Sequence, residues 1–247
     1  LALIAAIGVV APPDWARAID HLRLAAEQGS TGAAHQLLVL ADPDADAQPP
    51  ASPPAGYWRD RAAAVDLLRR LAPPARRAVS DRPFLRAFPG FCTPAECRLL
   101  MDIAERRLVR APVYDRADGR QTVADARDNR AALFQLADME LLIEVIRARI
   151  SNATGLPLPF FEPPQILHYA VGERFKPHHD YLDPANPAFA EELRASGQRV
   201  ATFLIYLNDD FDGGETDFPD ARIAFRGAVG EALMIANVDP RGEPDPA

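Results

Sequence analysis

Apolar residues recur at helical spacing along the first seventy residues of the chain. This spacing predicts three helices, over residues 14–28, 32–41 and 57–71. The segment 42–56, between the second and third of these helices, is rich in Asp, Ala and Pro and has no periodicity. It is therefore predicted to be a linker or a long surface loop.

The pattern changes after residue 81. The segment PFLRAFPGF predicts a short strand, and Thr93-Pro94-Ala95-Glu96 is a capping box with proline in the first turn, which predicts a helix to about Leu108. A further amphipathic helix is predicted over 138–151. After Glu162 the apolar residues recur at every second position, as is typical of strands. The strands predicted there cover residues 165–169, 199–207, 215–218, 222–226 and 232–236.

The order of these elements indicates an α+β fold. Helices come first and several short strands follow, which favours an antiparallel β core supported by helices, and a double-sheet jelly roll fits this order. We predict an α-helical N-terminal region over 1–80 and a second domain over 81–247. The pattern leaves open whether residues 1–80 are a separate domain or a helical buttress of the core.

Composition narrows the classes of partner and compartment. The 247 residues carry a formal net charge of -8, and the arginines are scattered among acids, which argues against nucleic acid as the main partner. Cys92 and Cys97 are the only cysteines and do not make a disulfide framework, so a cytoplasmic location is expected. The apolar run over 1–10 is too short to span a bilayer, so no membrane partner is expected. The oligomeric state is left open.

The segment KPHHDYLDP, residues 176–184, suggests metal chemistry. His178 and Asp180 are two positions apart, so on a strand their side chains would leave the same face. One imidazole and one carboxylate are two thirds of the 2-His-1-carboxylate triad, which leaves positions open on Fe(II). Because His-x-Asp alone is common by chance, an ordinary pair of surface side chains is the alternative.

Longer blocks around this segment favour the metal site. Three of them, ILHYAVGERFKPHHDY, GQRVATFLIYLNDDFDGGETDFP and GEALMIANVD, occur in order with the spacing of prolyl 4-hydroxylase-like oxygenases. From about residue 84 onward, and including RDNRAALF, the chain resembles this family of Fe(II)- and 2-oxoglutarate-dependent dioxygenases. The resemblance implies a double-stranded β-helix (jelly-roll) oxygenase core with supporting helices. It also implies the cofactors Fe(II), 2-oxoglutarate (2OG) and ascorbate.

Carried over to this sequence, the resemblance implies that His178 and Asp180 are metal ligands and catalytic residues. It implies that Tyr169, Tyr206 and Thr216 line the pocket for 2OG. These residue types fit, because a buried dicarboxylate beside a metal needs donors, and hydroxyl groups supply them without adding charge. For Tyr206 the alternative is a core aromatic residue with a hydrogen-bonded hydroxyl.

Two other features have less specific interpretations. Arg127 falls in a segment that borders the active-site mouth in the family, so it is either a substrate contact or a surface arginine. The acidic stretch 208–212 resembles a calcium loop, but the twelfth position is Pro219 where such a loop has Glu, so a calcium site is excluded.

The triad needs a second histidine, and no histidine follows His179. The family places it after GEALMIANVDPRGEPDPA, followed by a basic residue that pairs with the distal carboxylate of 2OG. We expect both beyond Ala247, in a chain that continues, and we prefer this to a degenerate relative without metal. Iron binding by residues 1–247 alone is therefore expected to be weak.

The predicted function is hydroxylation of a C–H bond of a prolyl residue in a protein or peptide, with release of succinate and CO2. Two alternatives stay open: a hydroxylase of a free amino acid or other small molecule, and a non-catalytic jelly-roll binding module that has lost its metal. An active-site mouth closed by residues 183–198 would favour a small molecule, whereas an open groove would favour a peptide. The predicted helix pair over 14–41 resembles a Sel1 or tetratricopeptide-type repeat unit and would help to hold a protein partner. A hairpin packed on its own domain is the alternative for that pair.

Overall fold

The computed structural model describes residues 1–9, 11–44, 48–111, 113–114, 121–122 and 127–246. Residues 45–47 of the predicted linker lie outside this part of the chain. The described residues form a mixed α+β structure with N-terminal helices and antiparallel sheets. Their α-helices are α1 (Ala2–Ile7), α2 (Trp15–Glu27), α3 (Thr31–Ala41), α4 (Tyr57–Ala63), α5 (Leu67–Leu71), α6 (Pro94–Glu105), α7 (Leu141–Thr154) and α8 (Ala190–Ser196). Their strands are β1 (Arg77–Asp81), β2 (Phe84–Phe88), β3 (Val109–Arg110), β4 (Val113–Tyr114), β5 (Gln121–Thr122), β6 (Arg130–Leu133), β7 (Gln165–His168), β8 (Ala201–Ile205), β9 (Thr216–Phe218), β10 (Ile223–Phe225) and β11 (Ala232–Ala236).

The chain divides into two compact units, each made of three segments. The helical unit comprises Leu1–Pro74, Cys92–Ile103 and Phe134–Pro164. The strand unit comprises Ala75–Phe91, Ala104–Leu133 and Gln165–Ala247. The sequence boundary between 1–80 and 81–247 stays a prediction. Within the described residues, no helix is both long and apolar enough to cross a membrane.

The two helices predicted over 14–41 are confirmed, and side-chain caps explain where they begin. The carboxylate of Asp14 accepts a hydrogen bond from the backbone N–H of Arg17 at 2.9 Å, at the start of α2. The hydroxyl of Ser30 accepts one from the N–H of Ala33 at 3.3 Å, at the start of α3. Such caps satisfy donors that have no partner inside the helix.

The prediction of one helix over 57–71 was wrong, because two helices occupy this segment. α4 ends at Ala63 and α5 begins at Leu67. Between them, the side chain of Asp66 accepts a hydrogen bond from the N–H of Arg69 at 3.1 Å and caps the second helix. An aspartate that binds the backbone in this way starts a new helix, even where the apolar spacing is continuous.

A buried ion pair lies in the core of the helical unit. The predicted capping box is confirmed: Thr93 N–H donates to Glu96 Oε2 at 2.9 Å, and Glu96 N–H donates to Thr93 Oγ1 at 3.1 Å. Both terminal nitrogens of Arg149 donate hydrogen bonds to the same carboxylate, at 3.0 and 2.8 Å. Arg149 Nε donates to the carbonyl of Arg70 at 2.7 Å. Burial lowers the pKa of Arg149, but the hydrogen bond and the charge of Glu96 outweigh it, so the pKa of Arg149 is raised.

The strand unit is organised around a four-stranded antiparallel sheet in the order β1-β2-β11-β8. Side chains alternate between its two faces. On one face Phe203 packs against Phe88 and Phe91, with ring centroids 5.4 and 4.8 Å away. Thr202 lies on the opposite face, and Tyr206 continues the same alternation just after β8. This second face carries the candidate site.

The hairpin of β9 and β10 packs on that second face. Phe225 of β10 is buried with Leu85, Ala87 and Leu233 of the sheet, and Tyr206 packs against this cluster. A separate three-stranded sheet has the order β3-β6-β7, with Ala131 opposite Leu167. All strands predicted after Glu162 are confirmed, with ends shifted by one or two residues.

We predict that Arg149→Met destabilises the protein by about 3–5 kcal/mol, because it leaves the carboxylate of Glu96 buried without its charged partner. Glu96 and Arg149 are 0 % and 4 % exposed. The free energy of unfolding is measured in urea. As a control, Arg241→Met removes an ion pair whose arginine side chain is 83 % exposed, and the unfolding midpoint should stay within experimental error. Equal midpoints for both variants would contradict the prediction.

Candidate active site

His178 and Asp180 meet in an irregular segment of the strand unit. Residues 176–183 contain no strand, so the alternation of side chains along a strand does not apply to this pair. Pro177 is one physical reason, because proline cannot donate a hydrogen bond to a neighbouring strand. The two side chains nevertheless come together, with His178 Nε2 3.2 Å from Asp180 Oδ1. Both are about one third exposed.

The imidazole of His178 is oriented by the backbone of its own segment. Its Nδ1 lies 2.8 Å from the carbonyl oxygen of Lys176. In the protonated imidazole, Nδ1–H donates to this carbonyl and Nε2–H donates to Asp180. Loss of the Nε2 proton would leave a lone pair directed towards Asp180 Oδ1. Histidines that bind metals are usually oriented by such a bond from the other ring nitrogen.

The carboxylate of Asp180 is held from the sheet. Thr202 Oγ1 on β8 donates to Asp180 Oδ2 at 2.5 Å, and the side-chain amide of Asn237 donates to Thr202 Oγ1 at 3.0 Å. Asn237 follows β11 and is buried. Sequence reasoning missed both Thr202 and Asn237. The available signal was the alternation of β8, which puts Thr202 on the same face as Tyr206.

The two members of the pair stabilise each other's charged forms. Burial lowers the pKa of His178, but hydrogen bonds to Asp180 and to the Lys176 carbonyl outweigh it and raise the pKa. Burial raises the pKa of Asp180, but hydrogen bonds from His178 and Thr202 outweigh it and lower the pKa. The carboxylate is therefore ionised at neutral pH, as a metal ligand must be.

The donor set and its spacing fit a divalent transition-metal ion such as Fe(II). Imidazole nitrogen with carboxylate oxygen is the ligand chemistry of non-haem iron sites. Two neighbouring ligands of an octahedral ion, each about 2.1 Å from it, lie about 3 Å apart, and the distance between His178 Nε2 and Asp180 Oδ1 agrees with this. Among the described residues, no group of three or more His, Cys, Asp and Glu side chains is arranged to hold a metal.

Tyr206 and Thr216, both predicted to line the co-substrate pocket, are in direct contact. Tyr206 Oη lies 2.6 Å from Thr216 Oγ1, and the phenol also donates to the carbonyl of Phe225 at 3.1 Å. Burial raises the pKa of Tyr206 and outweighs the opposing hydrogen bond from Thr216, so the phenol is neutral. The role of both residues in binding 2OG stays a prediction.

Gly227 fixes the position of the Tyr206 ring. A Cβ atom at this glycine would lie 2.3 Å from Cδ2 and 2.7 Å from Cγ of Tyr206, which is far inside van der Waals contact. These atoms are at the base of the ring, so the whole side chain would have to move. Sequence reasoning did not identify Gly227, because no local signal marks it.

Tyr169 and Arg127 are close enough to influence each other electrostatically. Tyr169 is 43 % exposed. Burial raises its pKa, and the charge of Arg127 acts in the opposite direction. Burial lowers the pKa of Arg127 and outweighs the charges of Tyr169 and Asp180, which act in the opposite direction. The structure therefore brings Arg127 into the electrostatic environment of the pair, and its role as a substrate contact stays a prediction.

Comparison with known proteins identifies the family. Residues 164–241, which include the His178–Asp180 pair and the Tyr206–Thr216 contact, match the model of the 2OG-Fe(II) oxygenase superfamily. Probable prolyl 4-hydroxylase 10 of Arabidopsis thaliana is 30% identical over 189 residues, which are 68% of this chain and 63% of the relative. Prolyl 4-hydroxylase 5 of the same plant is 37% identical over 145 residues, 58% of this chain and 47% of the relative.

Animal and viral proteins are similar as well. Prolyl 4-hydroxylase subunit alpha-1 of Rattus norvegicus is 32% identical over 175 residues, 71% of this chain and 32% of the relative. The chain thus spans less than two thirds of the length of each of these relatives. The crystal structure of a viral collagen prolyl hydroxylase from Paramecium bursaria Chlorella virus 1, in complex with 2OG, is 21% identical with a TM-score of 0.49, and the match covers 68% of this chain and 86% of that one. On the sequence matches, the chain belongs to the prolyl 4-hydroxylase-like family of 2OG-Fe(II) oxygenases.

Proposed function

We propose that the protein is an Fe(II)- and 2OG-dependent dioxygenase that hydroxylates a prolyl residue in a protein or peptide and releases succinate and CO2. One observation carries the proposal: His178 Nε2 and Asp180 Oδ1 face each other at 3.2 Å. The second atom of each group, Nδ1 and Oδ2, is already hydrogen-bonded elsewhere. A metal that replaces the Nε2 proton would therefore bind the two facing atoms. In this proposal the strands are part of a double-stranded β-helix.

The chain's own residues prepare the site in three ways. His178 and Asp180 hold the metal, and Thr202 fixes the carboxylate of Asp180. The hydroxyls of Tyr206 and Thr216 would turn from their present partners to donate to a carboxylate of 2OG, without adding charge. When bound, the iron with its co-substrate and oxygen supplies the oxidising power needed to break a C–H bond. Ascorbate as a further cofactor and a cytoplasmic location are also proposals.

An exposed apolar strip supports a peptide substrate over a free amino acid. Leu167 and Tyr169 alternate at the end of β7, Val171 lies in the turn that follows, and the three are 36, 43 and 107 % exposed. Alternate residues of a strand share one face, which places Leu167 and Tyr169 together. Such a strip offers contact area to an extended peptide with pyrrolidine rings, whereas one free amino acid would cover little of it. The relatives named above are themselves called prolyl 4-hydroxylases.

The metal-ligand assignment predicts that His178→Ala lowers Fe(II)-dependent succinate release from 2OG by more than about 100-fold, because even residues that only orient a ligand contribute 10–100-fold. His179→Ala is the matched control. Its ring stacks on Tyr181, with centroids 4.9 Å apart, and it is neither of the two proposed ligands, so turnover should stay within about twofold. Equal turnover in wild type and His178→Ala would refute the assignment. No turnover in the wild-type full-length protein would favour the non-catalytic binding module.

The Tyr206 pocket predicts that Gly227→Ala raises the KM for 2OG by about tenfold, because the new methyl group displaces the phenol and removes about 1.4 kcal/mol of hydrogen bonding. Steady-state kinetics at saturating peptide measure KM and kcat separately. Gly32→Ala is the control, since a methyl group there would meet no atom within 4 Å. An unchanged KM in Gly227→Ala, with the fold intact by circular dichroism, would contradict the role of Tyr206.

The substrate proposal predicts that a proline-rich peptide supports succinate release at least about tenfold faster than free L-proline at equal concentration, because contacts remote from the reacting carbon contribute to turnover. Mass spectrometry of the peptide should show the addition of one oxygen atom. Faster turnover with free proline, or with another free amino acid, would instead favour the small-molecule hydroxylase.

A further inference from the structure

We propose that Phe175 is a positioning residue that holds the imidazole of His178 in the orientation needed for metal binding. The two rings are stacked, with centroids 3.7 Å apart and planes inclined by 22°. This inference rests on the proposed function, because it concerns the same metal site. The side chain of Phe175 has no atom that could bind a metal. Phe175 is therefore not among the residues assigned to the metal or to the co-substrate.

The stack restricts a motion that the hydrogen bonds leave open. The bond from Nδ1 of His178 to the Lys176 carbonyl fixes one point on the ring. The ring can still tilt about that point, because the side chain is 33 % exposed and solvent offers no resistance on its open side. A flat surface lying parallel to the ring opposes this tilt through dispersion contacts across the whole face. Nε2 is thereby kept directed at Oδ1 of Asp180.

Phe175 can act as a rigid platform because it is itself held in place. Its backbone forms an antiparallel bridge with Arg127. The Arg127 guanidinium lies over the Phe175 ring, with its carbon 4.8 Å from the ring centroid, which is within range of a cation–π interaction.

Arg127 in turn is tied to a buried group. Its Nε donates to Asn129 Oδ1 at 2.6 Å, and the Asn129 amide donates to the carbonyl of Arg130 at 2.9 Å. Asn129 is 0 % exposed, so it is a fixed point of the fold. Asn129 therefore restrains Arg127, Arg127 restrains Phe175, and Phe175 restrains the imidazole of His178.

The chain offers a matched control in the same segment. His179 stacks on Tyr181 with the same inclination of 22° and centroids 4.9 Å apart. This second stack involves neither member of the ligand pair. Removing the ring of Tyr181 tests what the loss of any His–aromatic stack does, whereas removing the ring of Phe175 tests its role in positioning His178.

The experiment measures the Kd for Mn(II), a paramagnetic substitute for Fe(II), by electron paramagnetic resonance on the full-length protein. Phe175→Leu should raise the Kd by about tenfold, the size of effect found for residues that orient metal ligands. Phe175→Tyr keeps the stacked ring and should restore the Kd to within about twofold of wild type. Tyr181→Leu should also stay within about twofold. His178→Ala should abolish specific binding.

The experiment distinguishes failure of the proposed metal site from failure of the positioning role of Phe175. If wild type and His178→Ala bind Mn(II) equally, the proposed metal site itself is refuted. If His178→Ala loses the metal but Phe175→Leu binds it as wild type does, only the positioning role is overturned. A Kd that is also about tenfold higher in Tyr181→Leu would show a general effect of stacking and would also overturn the positioning role of Phe175.

A second measurement covers the case in which Phe175→Leu does not fold. In metal-free wild-type protein, the ring protons of His178 should be shifted upfield by the ring current of Phe175 in NMR spectra. The ring protons of His21, for which no ring contact of this kind is described, provide the reference. Unshifted His178 protons would exclude the stack in solution and overturn the proposal without any variant.

Discussion

The hydrogen bond from Thr202 to Asp180 is the interaction on which the candidate site depends. It joins an irregular segment, which has no strand partners of its own around Pro177, to the edge strand of the main sheet. The buried amide of Asn237 holds Thr202 in turn. Without this connection the carboxylate would belong to a loop, and its distance from His178 would be set by loop motion. With it, the Asp180 carboxylate is fixed by the sheet and the His178 imidazole by its own backbone.

The two units of the chain use ionised groups in different ways. In the helical unit, Glu96 is fully buried and its carboxylate is satisfied by Arg149 and by the backbone of Thr93. Such a pair specifies the packing of helices and has no atom left for a ligand. In the strand unit, Asp180 and His178 are about one third exposed, and each has one atom held and one atom facing the other. This partial satisfaction is what makes the second pair suitable for binding a metal.

Aromatic rings position the polar groups of the site. The Tyr206 phenol reaches Thr216 because Gly227 leaves room for the base of its ring. The His178 imidazole lies flat on Phe175, which is itself covered by Arg127. Gly227 thus decides where the Tyr206 phenol points, and Phe175 decides where the His178 imidazole points, although neither residue has a chemical role of its own. Close packing makes such positions sensitive, since a single methyl group has no empty space to enter.

Local sequence signals determined most of the secondary structure. Apolar spacing and capping residues predicted the helices that begin after Asp14 and Ser30, and the capping box of Thr93 and Glu96 appears as expected. One exception was the segment 57–71, where Asp66 caps a new helix although the apolar spacing continues. The motif around His178 and Asp180, read with its neighbouring blocks, was sufficient to predict the family. These features depend on residues close together in sequence, so a linear pattern contains them.

The tertiary structure alone decided what surrounds those residues. Thr202 reaches Asp180 from 22 residues away, and Asn237, which follows the neighbouring strand β11, holds Thr202. Arg127 reaches Phe175 across a bridge between distant segments. Contacts of this kind depend on strand register and on which side chains share a face, and neither has a local signature. The residue types that do the chemistry were therefore evident from the sequence. The residues that hold them in place became evident only once the sheet had brought them together.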